Sequence, residues 1–77
     1  MKNSISIKLG KKVQSFNIER TICGICITNP ENDGIMMELN KRSERGDYYI
    51  TSSRPELEFF EDELKDIAIK AIKKYKI

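Results

Sequence analysis

The sequence predicts one small mixed α+β domain: an antiparallel sheet of four to five strands in a meander, over about residues 3–52, packed against a single C-terminal amphipathic helix over about residues 54–76. Three observations lead to it. Apolar and polar residues alternate with the two-residue period of half-buried strands through the first two-thirds of the chain. Clusters of turn formers punctuate those stretches, and the last third changes to the spacing of a helix with one apolar face.

Ile5, Ile7 and Leu9 alternate with Ser4, Ser6 and Lys8 to make the first strand, and Gly10, Lys11 and Lys12 supply its turn. A hairpin partner follows through Phe16 and Ile18. Val13 is out of phase with these two, so either a bulge or a strand that starts later than Val13 is expected. The stretch from Thr21 to Thr28 is apolar on both faces and reads as the central strand. Asn29, Pro30, Asn32, Asp33 and Gly34 concentrate turn chemistry and close the next hairpin. Ile35, Met37 and Leu39 then share one face, and a charged loop from Lys41 to Asp47 leads to a last strand through Tyr48, Tyr49 and Ile50. Short connections make the meander the default order.

Ser53, Pro55 and Glu56 fit a capping box, with the Ser53 hydroxyl accepting from an orphan amide, Glu56 reaching back, and proline tolerated in the first turn. From there Leu57, Phe60, Leu64, Ile67, Ala68, Ala71, Ile72 and Tyr75 share one helical face, wide enough to face a core. Acids fill the first half of this helix and lysines mostly the second, which complements the helix dipole. Glu61 with Lys65 and Asp66 with Lys70 stand at the i,i+4 spacing of supporting pairs.

Seventy-seven residues give room for one core and one or two surfaces. With 39 % hydrophobic and 34 % charged residues and a net charge of +2, the chain has the composition of a folded domain, marginally stable alone or helped by oligomerisation. The N-terminal segment lacks the apolar run of a signal peptide, and the uncharged stretch between Arg20 and Glu31 is too short to cross a bilayer. A cytoplasmic protein with reduced thiols and no membrane partner is therefore expected. Lysine outnumbers arginine ten to four and isoleucine is the favoured aliphatic residue, a bias expected of an AT-rich genome.

The chain contains no histidine. That removes the Ser–His and Cys–His nucleophile pairs, an imidazole base at neutral pH and every histidine metal ligand. Nor is there a glycine-rich phosphate loop or a spaced pair of carboxylates, so no catalytic, cofactor-binding or metal-binding residue is assigned and an enzyme is not expected. Cys23 and Cys26 have the Cys-x-x-Cys spacing of redox and zinc motifs. Within a strand, residues three apart face opposite sides with Cα atoms about 10 Å apart, beyond disulfide reach and unsuited to chelation. Buried structural cysteines are the expectation; only a dimer sharing a four-cysteine site would hold metal.

Two groups of residues are candidates for partner binding. On the outer side of the helix, Phe59 and Ile69 project away from the core stripe beside Glu58 and Asp62, within a run of six carboxylates between Glu56 and Asp66 that would steer approach to a basic surface. In the fourth loop, Lys41, Arg42 and Arg45 stand beside Tyr48 and Tyr49, and with Lys8, Lys11 and Lys12 they suggest a basic, tyrosine-bearing sheet for single-stranded nucleic acid. Residues 1–54 carry nine bases against six acids, a weak bias for such a binder. The strand edges Ser4–Leu9 and Tyr48–Ser52 offer pairing with a partner or with a second copy as a homodimer. The expected function is thus a non-catalytic protein-binding module that occludes a surface on a larger protein, in the manner of phage and mobile-element accessory proteins that inhibit bacterial defence proteins. Single-strand nucleic-acid binding is the second expectation.

Overall fold

The computed structural model describes residues 3–42 and 47–75. Five strands, β1 (Asn3–Leu9), β2 (Lys12–Arg20), β3 (Gly24–Thr28), β4 (Ile35–Lys41) and β5 (Tyr48–Ser53), form one antiparallel sheet in the order β1-β2-β3-β4-β5. A 3₁₀ turn at Pro55–Leu57 leads into α1 (Glu61–Tyr75). The meander, the central place of β3 and the single C-terminal helix are as the sequence predicts. Among the described residues no helix is long and apolar enough to cross a membrane.

One face of the sheet is apolar and one is open. Ile5, Ile7, Phe16, Ile18, Ile25, Ile27, Met37 and Leu39 point to the helix side, where Leu57, Leu64, Ala68 and Ile72 meet them. Phe16 is fully buried and lies against Phe60 with ring centroids 6.5 Å apart, which ties the start of the helical segment beneath β2. The β1–β2 hairpin turns on Gly10, whose φ of 63° at the first of two loop positions suits a type II′ turn.

Val13 requires neither a bulge nor a late start. The β1–β2 register runs without a break from Leu9↔Lys12 to Asn3↔Ile18, and Val13 opposite Lys8 takes an outward position at 66 % exposure. A single outward valine suits a strand without belonging to a core.

The strand expected from Thr21 begins instead at Gly24. The Thr21 amide donates to the Gly24 carbonyl at 2.8 Å and the Gly24 amide donates to Thr21 Oγ1 at 2.9 Å, so Ile22 and Cys23 form the two-residue tip of a hairpin. Gly24 is required there, because a Cβ would run into the backbone carbonyl of Leu39 on β4.

The β3–β4 loop does what its composition predicts. Asn29 Oδ1 accepts from the Glu31 amide and Asn32 Oδ1 from the Gly34 amide, both at 2.8 Å, while Asp33 adopts φ 57°. Just beyond it a bulge places Thr28 opposite Ile35 but Ile27 opposite Met37. Met36 is the extra residue, so Met36 and Met37 are both buried and Ile35 is 48 % exposed, correcting the simple alternation of Ile35, Met37 and Leu39.

The helix starts later than the capping box implies. Ser53 is still paired with Met37 in the sheet, and no side chain caps the 3₁₀ turn. Arg54, immediately before Pro55, is extended at φ −70° and ψ 147°, as the residue before a proline is pushed to be. The chain therefore makes one tight turn that seats Leu57 in the core, and only after Phe60 does regular α-helix begin. Tyr75, expected on the buried face, is 56 % exposed at the end of α1. Lys76 and the predicted end of the helix beyond it lie outside the described residues.

Candidate functional site

The segment between β5 and α1 is fastened from both sides. The Arg54 amide donates to the Met36 carbonyl at 2.9 Å and its Nε to the Ile35 carbonyl at 3.0 Å, joining the turn to β4. Amides of Leu57, Glu58, Phe60 and Leu64 then donate in succession to the carbonyls of Arg54, Pro55, Leu57 and Phe60. Leu57 is buried and Phe60 half-buried, so the residues between them have nowhere to go but outward. Phe59 is 94 % exposed, with exposed Glu58 beside it and exposed Asp62 one turn on. Three of the predicted partner-binding residues are thus exposed within one short stretch, Glu58 and Phe59 on the turn and Asp62 at the start of α1.

Ile69 is not part of that surface. It is half-buried and packs against the core, because three residues from Ile72 it stands at the border of the buried stripe rather than opposite to it. Phe59 and Ile69 do not form one outer patch.

The second predicted group sits at the other end of β5. The Arg42 guanidinium lies over the Tyr49 ring, 5.3 Å from its centroid, on the open face of the sheet where Tyr49 pairs with Asn40. Arg45 lies outside the described residues. Tyr48, on the opposite face, packs against the core.

Across the middle of the open face, Glu19, Cys26 and Glu38 stand in register on β2, β3 and β4. Two carboxylates therefore occupy the centre of the surface that a phosphate backbone would have to cross. Beside them a shallow concavity of about 700 Å³ reaches to Ile22, which is fully exposed, and to both cysteines. Cys23 is exposed rather than buried, and Cys26 is half-buried. Their opposite-face geometry does not apply, since Cys23 belongs to the hairpin tip and not to the strand. Among the described residues, no group of three or more carboxylates and thiols is placed to hold a metal ion, and no buried side-chain polar atom lacks a partner.

A groove of about 300 Å³ runs between the outer edge of β1 and the second half of α1. Its walls are Ile5, Ile67, Ala71 and the ring of Tyr75, with Lys70 and Lys74 along the rim and Ser4 and Ser6 at the lip. The Lys74 ammonium stands over the Tyr75 ring, 5.6 Å from its centroid. Sequence periodicity places Tyr75 in the core and gives no sign of the groove, which depends on how α1 packs against β1, strand and helix being distant in sequence. Ile22 was hidden for a different reason: no turn former marks its hairpin.

Comparison with protein-family profiles, with curated protein sequences and with solved structures yields no match.

Proposed function

We propose that the chain is a non-catalytic protein-binding module that acts by occupying a surface on a larger protein, with Phe59 as its anchor. The observation that supports this reading is the Phe59 turn. A phenylalanine left almost wholly in water forgoes about 1.5–3 kcal/mol that burial would supply, and this one is presented by a segment pinned through Leu57, Phe60 and Arg54. Presented from a fastened backbone, an aromatic side chain with only two rotatable bonds loses little entropy on insertion into a partner pocket, which is how interface hot spots are built. Glu58 and Asp62 on either side favour a partner surface with basic residues around that pocket. Inhibition of a larger bacterial protein, as by the accessory proteins of phages and mobile elements, is one use of such a module and requires no chemistry of its own.

The open face supports the nucleic-acid alternative less well. Glu19 and Glu38 lie at its centre, and Arg42 already covers one face of Tyr49, the ring on which a base would stack. The test is capture from nuclease-treated bacterial lysate with the wild-type chain and with Phe59→Lys. A protein retained in stoichiometric amount by the wild type and lost by Phe59→Lys, at unchanged melting temperature, is the expected result. Retention that disappears with nuclease, or that is indifferent to Phe59→Lys, contradicts the Phe59 reading.

A further inference from the structure

We infer that the β1 edge is a second binding site, one that takes an extended, acidic segment of another protein as a sixth strand. The argument starts from the backbone. A two-residue turn makes Leu9 and Lys12 a hydrogen-bonded pair, and the alternation of an antiparallel ladder then directs the amides and carbonyls of Ile5, Ile7 and Leu9 toward β2. Those of Ser4, Ser6 and Lys8 face outward, and no described backbone group pairs with them.

Sheets commonly blunt such edges with bulges, prolines or charges. β5 is blunted: its pairing shifts between Glu38 and Leu39, and Pro55 follows closely. β1 has neither device. Its seven residues pair in unbroken register, and Lys8 is its only charge. Beside it lies the apolar groove formed with α1.

The groove also defines what fits. A strand added to β1 would direct alternate side chains down onto Ile67, Ala71 and Tyr75, where apolar residues are favoured. The intervening ones would stand beside Ser4, Ser6 and Lys8. Lys70 and Lys74 line the same helix side of the groove, and none of the described lining residues is a carboxylate, so carboxylates among the groove-facing side chains of the incoming strand are complementary. A second copy of the chain fits poorly, because two β1 strands paired about a two-fold axis would bring the Lys70 and Lys74 rims of both copies together. The site is separate from the Phe59 turn, and it rests on the reading of the chain as a protein-binding module.

The test is titration of the isotopically labelled chain with a short capped peptide in which threonine alternates with groove-facing residues that are valine and glutamate in turn, followed by amide NMR. The expected result is shifts confined to β1 and residues 67–75, with slowed exchange at the amides of Ser4, Ser6 and Lys8. N-methylation of the peptide's pairing amides should abolish binding, and lysine in place of glutamate should weaken it by about ten-fold. Ser6→Pro should also abolish it with the fold retained, since proline is tolerated where an edge amide faces solvent. The double variant Lys70→Glu, Lys74→Glu gives a second reading from exposed positions and should weaken the acidic peptide likewise. Absence of shifts with the acidic peptide, shifts centred on β5, or equal binding of the N-methylated peptide overturns strand addition. Capture by wild type and by Ser6→Pro separates the two claims. If no peptide binds and both capture the same protein through Phe59, strand addition fails and the module stands; if neither captures a protein, the module reading fails as well.

Discussion

Phe16 shows how much of this domain rests on single side chains. It is fully buried, faces Phe60 across the sheet–helix boundary and pairs with Ile5 in the ladder. Truncation to alanine removes a large apolar side chain and leaves a cavity, at a cost of about 3–5 kcal/mol. A chain of this size has a total stability of roughly 4–12 kcal/mol. Urea denaturation of Phe16→Ala should therefore show a midpoint far below wild type or no cooperative transition at all. Gly24 is the backbone counterpart: Gly24→Ala sets a methyl against the Leu39 carbonyl, and the strands must separate to admit it. A loss of about 1–3 kcal/mol is expected in the same measurement. An unchanged midpoint for Gly24→Ala would mean that β3 and β4 are not so closely apposed.

At the scale of elements, the β5–α1 junction tests whether the cap or the clamp holds the helix in place. Ser53→Ala should change stability by no more than about 0.5 kcal/mol, because its hydroxyl does not cap the helix and makes only a long contact with the Arg54 carbonyl. Arg54→Ala should cost more, about 1 kcal/mol, through loss of the Nε bond to the Ile35 carbonyl. Thermal melts of the two variants, ranked in that order, are the expected outcome; the reverse ranking would restore the capping box. The same junction marks where sequence and structure part. The amphipathic stripe from Leu57 to Ile72 was legible because burial of one face enforces a period. Its true start was not, because Pro55 and the pairing of Ser53 with Met37 decide it, and that pairing depends on a strand distant in sequence. The Ile22–Cys23 turn was illegible for lack of glycine, proline or asparagine at its tip. The Met36 bulge is a feature of register, which hydrophobic alternation records only when it is unbroken. The exposure of Glu58, Phe59 and Asp62 was legible because an apolar residue out of phase in an acidic helix start has no local explanation. Ile69 was misplaced because the wheel gives no sharp border to a buried stripe.

Over the whole molecule, charge and exposure divide into distinct regions. Carboxylates gather around the Phe59 turn at the start of α1, lysines line the groove at its end, and the open face carries Glu19 and Glu38 at its centre. On the proposed reading a protein partner would find an apolar anchor on the first region and an open strand edge at the second, whereas a nucleic acid would meet carboxylates on the third. This division is what makes protein binding the better reading, and amide hydrogen exchange of the chain alone and in complex with its captured partner tests it most directly. Slowed exchange in residues 55–64 around Phe59, with the open-face strands unchanged, is the predicted result. Protection centred instead on the strands bearing Cys26, Glu38 and Tyr49 would contradict it.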